Sequence, residues 1–302
     1  MSIQKIDASM FEDIYREFLV DDDPELTYDD WRRLFAGDAE TGSHGLGYAL
    51  VDGSTLGGIL GMLFSRRCIQ GQVKHFCNLH TWMVKPEFRG HSLLLMRPAL
   101  RLSDHTVTDF TPTEPVRRIS RRLGFQPLNA DLRVLFPFGG QPSKHPQLEF
   151  LADQAQLPAR LTAEETQLLR DHCAPDLTSL LVSDGRRQCY LIYTRVTRWQ
   201  VAYCHIHYLS DPQTFAAFHL PIRKYILQTE RVRFLVLNDR QVSNWKLPNS
   251  CRFPLTNGHL VRTTMTAPEQ IDSLYSDLAL LRLTTIKGIK QAVKERFFAE
   301  RL

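Results

Sequence analysis

The sequence predicts a mixed α/β (α+β) protein built as two units of one plan, and three observations predict it. Apolar spacing alternates along the chain between the helical three-to-four and the strand-like two. Two Asp-Gly turns, Asp52-Gly53 and Asp184-Gly185, each separate apolar runs that read as the arms of an antiparallel hairpin. The order helix, hairpin, histidine-bearing strand, helix, strand is met twice, roughly 140–150 residues apart, as a duplicated architecture would give. Each unit is expected to be a mixed, mostly antiparallel sheet flanked by helices.

The first unit is expected over residues 1–140. Met10, Ile14 and Phe18 recur at spacing four over residues 7–19, so this stretch reads as an amphipathic helix. Thr27 caps a second helix that turns Trp31, Leu34 and Phe35 inward. Strands follow near 46–51, 56–66 and 74–84, the last ending at Lys85-Pro86 because proline cannot donate a ladder hydrogen bond. A helix over 92–102, a short strand over 106–110, a basic helix over 114–123 and a last strand over 132–136 complete the unit. Residues 141–158 are rich in Pro and polar residues and read as a linker. The second unit, 159–302, opens with a helix capped by Thr162, with Glu165 three residues on as a capping box. Its hairpin, a strand carrying His205 and His207, a long helix interrupted at Pro221, a strand over 233–239 and a mostly helical end follow.

Composition narrows the function classes. Of 302 residues, 43% are hydrophobic and 23% charged, enough for real cores, and the net charge is +4. That mild excess suits a small anionic ligand and falls short of a dedicated nucleic-acid binder, so no nucleic-acid partner is expected. The six cysteines form no C-x-x-C pair, and no apolar run approaches the ~20 residues of a membrane span. A cytoplasmic protein with reduced thiols and no transmembrane segment is expected. His205 and His207 share a strand face, but no further ligand is evident at metal spacing, so no metal is expected. No nucleophile elbow, phosphate-binding P-loop or dinucleotide fingerprint is present.

The informative stretch is LHTWMVKPEFRGHSLLLM, Leu79 to Met96. A strand ends at Pro86, a turn carries Arg89, Gly90 and His91, and a helix is expected to begin. The first amides of a helix have no internal partners and sit at the positive end of its dipole, so such a turn can take an anion.

Val84-Lys85-Pro86-Glu87-Phe88-Arg89-Gly90, followed later by Leu123-Gly124-Phe125, resembles the two signature segments of the GNAT superfamily of acyl-CoA-dependent N-acyltransferases. The resemblance covers roughly residues 1–137, and the restart of the pattern makes the chain look like a tandem GNAT-like protein. It implies acetyl-CoA or another acyl-CoA as co-substrate, with the pyrophosphate on the turn Arg89, Gly90, His91, Ser92, Leu93, Leu94. Ser92 and Leu94 stand where the family carries glycine or another small residue, so the turn is a degenerate one. Backbone groups of Met83 and Val84 would hold the thioester carbonyl and pantetheine. The strand Leu79–Val84 is similar to that of arylalkylamine N-acetyltransferases, which places His80 as the base that takes the amine proton; its ordinary pKa of ~6.5 suits that task. Asn78 stands where that group carries a second histidine. Ser120 occupies the position of the family's acid, a tyrosine. The acceptor implied is a primary amine on a small molecule.

The second unit has Leu209-Ser210-Asp211-Pro212-Gln213 after its histidine strand, without glycine, and is expected not to bind coenzyme A. Ile286, Ile289, Val293 and Phe297 among basic residues predict a C-terminal amphipathic helix suited to packing on its own domain or to a partner surface. A homodimer or a protein partner would fit that helix. The alternative to an enzyme is a catalytically inactive GNAT-like binding or regulatory protein, separated from it by whether the turn amides are free to take a pyrophosphate.

Overall fold

The computed structural model describes residues 1–36, 44–137, 147–174, 176–198, 201–255 and 258–283. The segment expected to form a C-terminal amphipathic helix and part of the expected linker lie outside them. The described residues form two seven-stranded sheets. The first contains, in spatial order, β1 (Ser2–Lys5), β2 (Gly47–Asp52), β3 (Thr55–Ile69), β4 (Gln72–Val84), β5 (His105–Asp109), β14 (His259–Arg262) and β6 (Gln126–Leu128). The second contains β8 (Glu149–Leu151), β9 (Leu177–Ser183), β10 (Gln188–Arg198), β11 (Val201–Leu209), β12 (Leu235–Asn238), β7 (Leu132–Leu135) and β13 (Ser250–Phe253).

The two orders are the same plan. In each sheet five consecutive strands are followed by one strand from the other half of the chain and then by a strand of its own half. In each, the fourth and fifth strands pair in parallel, β4 with β5 and β11 with β12. In each, the register slips where the third strand meets the fourth, after Ile59 in one and after Ile192 in the other. The strand over 132–136, expected to close the first unit, is therefore β7 of the second sheet, and His259–Arg262 takes the corresponding place in the first. A cut near residue 140 does not separate the sheets.

Local sequence explains most of the elements. The β2–β3 hairpin turns at Gly53, whose φ of 60° is the left-handed conformation such a turn requires. The β9–β10 hairpin turns at Gly185, where Asp184 Oδ1 accepts from the Arg186 and Arg187 amides. Thr27 and Thr162 cap α2 (Tyr28–Leu34, after the single turn α1, Phe11–Ile14) and α5 (Ala163–Asp171) with reciprocal capping boxes.

Three of the expected helices differ in form: residues 7–19 make a 3₁₀ turn, the single turn α1 and a π-helical turn (Tyr15–Leu19) in place of one α-helix. Residues 92–102 do not form one α-helix: a 3₁₀ run covers Pro86–Met96 and only α3 (Arg97–Leu100) is α-helical. Pro86 and Pro98 each lack an amide hydrogen, which favours short turns with few bonds over a continuous ladder. The helix α6 (Pro212–Thr229) passes through Pro221 unbroken, because Phe215, Phe218, Ile222 and Ile226 bury one continuous face on the second sheet. The remaining helices are α4 (Glu114–Arg122), α7 (Asp239–Val242) and α8 (Asp277–Leu280).

The helices at the start of the chain cover one face of the first sheet, where Phe11, Ile14, Trp31 and Phe35 pack with Ala49, Ile59 and Leu281. The other face packs on the 3₁₀ run through Phe88, Leu95 and Met96. Arg67 of β3 forms a buried ion pair with Asp272 at 2.8 Å and lies over the rings of Tyr208 and Tyr275, which joins the first sheet to the second.

Candidate active site

β4 and β5 pair only from His75 opposite His105 to Asn78 opposite Thr108. Beyond Asn78, β4 runs on to Val84 with no strand paired on that side among the described residues, and β5 ends at Asp109. A wedge therefore opens between them. On its other side β4 bonds to β3, with Gly61 opposite His80 and Ile59 opposite Met83, so Thr81 and Trp82 share the place facing Leu60. This is a β-bulge. Thr81 sits at φ 51°, a left-handed backbone that a threonine adopts only under constraint. The bulge re-aims β4 at the wedge, where its unpaired backbone edge meets a cavity of about 500 Å³.

His80, Thr81, Trp82 and Met83 line this cavity from β4, and Val116 and Ser120 line it from α4. Gly61 is required beneath His80: a methyl group there would overlap the imidazole. The ring also meets Phe35 edge-on, with centroids 5.2 Å apart. Its Nδ1 hydrogen-bonds the Thr81 hydroxyl at 2.9 Å, while Nε2 is buried without a partner among the described residues. Burial pushes its pKa down to about 3, so the imidazole is neutral at physiological pH. The expectation of a pKa near 6.5 is corrected: this group accepts hydrogen bonds at neutral pH but is a weak base. Ser120 is 1% exposed and its Oγ likewise has no protein partner. Trp31 Nε1, Trp82 Nε1 and His259 Nε2 are in the same condition, and all five residues line the one cavity. Buried polar atoms are ordinarily paired, so this concentration marks a place built for a polar ligand.

Two carboxyl groups that sequence reading missed complete the lining. Asp109, the last residue of β5, accepts weakly from the Thr111 amide at 3.3 Å. Asp277, at the start of α8, accepts from Asn78 Nδ2 at 3.2 Å and from the Thr111 hydroxyl at 2.5 Å. Burial, and then the charge of Asp277, push Asp109 up to about 8. Burial raises Asp277 as well, against its hydrogen bonds from Thr111 and Asn78. No spacing in the sequence pairs these two residues; only the threading of the C-terminal segment past β5 does. Asp22 and Asp23 also line the cavity, and among the described residues no lysine or arginine does.

Of the residues expected to hold the coenzyme, only Met83 lines the cavity. Val84 is half-buried against the first core. Arg89, Gly90 and His91 are exposed, Ser92 is half-buried, and Leu94 packs partly into the core. The 3₁₀ run directs amides to carbonyls three residues back, as in Phe88 to Lys85 at 2.9 Å, so the turn is not the open cradle ahead of an α-helix that was expected. A Cβ at Gly90 would meet nothing within 4 Å, which leaves the outer face of the turn open to a ligand. The wedge fits the thioester end of an acyl-CoA: it offers an unpaired strand edge, the right order of volume and buried donors. The turn fits a diphosphate less well and would rely on side chains such as Arg89 to hold one.

The corresponding turn of the second sheet is closed to anions. Asp211 caps α6 and accepts from the Gln213 and Thr214 amides, so its own carboxylate occupies the helix start. His205 and His207 stack with centroids 4.3 Å apart, and His207 is held by Thr194 at 2.9 Å and Ser273 at 3.1 Å. They sit in a buried polar network between the sheets.

No protein-family model and no curated protein sequence matches the chain. Solved structures do match by shape. A GCN5-related N-acetyltransferase from Anabaena variabilis superposes with TM-score 0.55 and 13% identity, over 86% of this chain and 72% of that one. One from Kribbella flavida gives 0.54 and 15%, over 87% and 70%. Eis1 from Mycobacterium abscessus gives 0.51 and 13%, over 87% and 74%. At such identities the likeness concerns the fold alone. The chain has the fold of the GCN5-related N-acetyltransferases, the GNAT fold, carried twice as two GNAT-like domains.

Proposed function

We propose that the chain is an acyl-CoA-dependent N-acyltransferase that moves an acyl group, acetyl in the simplest case, from the thioester to a primary amine of a small molecule. One observation carries this reading: the wedge between β4 and β5 holds a bulged strand edge and buried, unpartnered His80 Nε2 and Ser120 Oγ in a single cavity. Acyl transfer needs a free amine lone pair near the thioester carbon and a donor for the departing sulfur. The backbone beyond the bulge, at Met83 and Val84, would hold the carbonyl and pantetheine. Arg89, with Gly90, His91, Ser92 and Leu94 around it, would meet the phosphates. His80 Nε2 would accept a hydrogen bond from the amine and orient it, and the Ser120 hydroxyl would donate to the sulfur. A cytoplasmic setting belongs to the same reading; no described helix is long and apolar enough to cross a membrane.

Calorimetric titration with coenzyme A and acetyl-CoA tests it, alongside Arg89→Glu. Micromolar binding that the variant loses is the expected result, followed by amine-dependent thiol release. A folded protein that binds neither ligand at 1 mM, weaker than about −4 kcal/mol, would rule the reading out.

A second reading, a GNAT-like binding or regulatory protein without catalysis, has one observation in its favour: the 3₁₀ run engages amides that a diphosphate would use. It predicts no thiol release with any amine, including at saturating acetyl-CoA.

A further inference from the structure

Asp109 and Asp277 line the same cavity as His80 and Ser120, and the reading above gives them no role. Asp109 and Asp277 lie deep, at 7% and 3% exposure. They reach the cavity from different parts of the chain, the end of β5 and the start of α8, and share Thr111 as a hydrogen-bonding neighbour. Asn78 fixes the other oxygen of Asp277. The titratable groups that line the cavity with them are His80 from β4, His259 from β14, and Asp22 and Asp23 nearer the start of the chain. Burial keeps both imidazoles uncharged, so among the described residues no cation faces the carboxyl pair within the lining. Two buried carboxyls without a cation are unfavourable unless they share a proton or receive a positive ligand. His80 Nε2, Ser120 Oγ and His259 Nε2, each at least nine-tenths buried and without a partner among the described residues, independently mark the same space for a polar ligand. Trp31, Trp82 and Phe110 supply apolar and aromatic wall around it.

We propose that the Asp109–Asp277 pair is the seat of a protonated primary amine, and that Asp109 is the base which takes its proton. Asp277 is a positioning residue: its charge sets the basicity of Asp109, and its bonds to Asn78 and Thr111 hold the pair. The proposal rests on the acyl-transfer reading and specifies its acceptor as a cationic amine. In the step, one N–H bond of the ammonium breaks and its proton goes to the Asp109 carboxylate. The freed lone pair attacks the thioester carbonyl carbon, and the C–S bond breaks. A second proton passes from the new amide nitrogen to the departing thiolate. One ammonium, one carboxylate and one thioester thus give one carboxylic acid, one amide and one thiol, with charge conserved. The basicity of the two candidate groups supports this assignment, since burial and the charge of Asp277 push Asp109 up to about 8 while burial pushes His80 down to about 3.

The test uses the full chain with benzylamine, its neutral counterpart benzyl alcohol, and acetyl-CoA. Calorimetry without a donor comes first. The proposal expects benzylamine to bind at least about tenfold more tightly than benzyl alcohol, and Asp109→Asn and Asp277→Asn each to erase that preference. Equal binding of amine and alcohol overturns it. Thiol release with acetyl-CoA follows. Asp109→Asn is expected to lose about a hundredfold or more in kcat while keeping acetyl-CoA affinity. In Asp277→Asn the rise of kcat/KM with pH should move to lower pH, a change that a merely structural role does not produce. Wild-type turnover in Asp109→Asn, or an unmoved pH profile in Asp277→Asn, overturns the assignment. Failure of the wild type to bind acetyl-CoA removes the acyl-transfer reading, and the amine titration still decides for or against the seat.

Discussion

Burial moves His80 and Asp109 in opposite directions: the histidine stays neutral well into acid, and the carboxyl holds its proton up to about pH 8 unless a cationic ligand seated beside it displaces that proton. Their effects on stability oppose each other. Asp109 rises from 3.8 to about 8 on folding, so between those values the folded chain holds a proton that the unfolded chain has released. Stability from this group is lost as pH rises through that window. His80 falls from 6.5 to about 3, so the unfolded chain takes a proton that the folded chain refuses, and stability is lost as pH falls through that range. Asp109→Asn removes the first effect. Its urea midpoint should gain on wild type as pH goes from 5 to 8, on the order of 1 kcal/mol per pH unit. A constant gap across pH 5, 6.5 and 8 would refute the assigned protonation. Gly61 is the neighbouring test. Gly61→Ala forces the His80 ring from its place and should destabilise by about 1–3 kcal/mol in the same assay. A silent Gly61→Ala would mean the imidazole is free to move.

At the scale of the element, short-range chemistry decides most outcomes. Thr162 accepts from the Glu165 amide at 3.2 Å, and the Glu165 carboxylate accepts from the Thr162 amide at 2.9 Å. Thr162→Ala should therefore lower stability by about 1 kcal/mol, read as a shift in urea midpoint at unchanged m-value. Such caps, and the Asp-Gly hairpins, are legible in sequence because all their partners lie within a few residues. The 3₁₀ run was less legible. Its letters, Pro-Glu-Phe-Arg-Gly-His-Ser, suit a turn followed by a helix, but Phe88, Leu95 and Met96 must all reach the first core, and 3₁₀ turns meet that demand. The bulge at Thr81 was not legible, since nothing in Leu-His-Thr-Trp by itself asks for a left-handed threonine.

The whole molecule is held together by strands exchanged between its halves. β7 is hydrogen-bonded between β12 and β13, and β14 between β5 and β6. A fragment of residues 1–137 would lack β14 and expose β7, leaving two sheet edges unpaired. Expressed alone it should aggregate or remain unfolded, and co-expression with residues 138–302 should restore a soluble pair. A folded monomeric fragment, seen by a cooperative urea transition, would contradict the exchange. The Arg67–Asp272 pair crosses the same junction. Asp272→Ala leaves a buried guanidinium without its carboxylate and should cost about 3–5 kcal/mol, measured by urea unfolding of the full chain.

By itself the sequence determined the mixed α/β character, the two hairpins, the helix caps, the repetition of the plan and the histidine strand leading to Arg89-Gly90. All of these arise from periodicity and from interactions a few residues long, which the chain carries wherever it folds. The tertiary structure alone decided that strands 132–135 and 259–262 trade sheets, that His80 is buried to the point of neutrality, and that Asp109 faces Asp277. Those facts depend on which distant segments pass beside one another and on how much water they exclude, and the free energy of burying a charge depends on that surrounding more than on the residue that bears it.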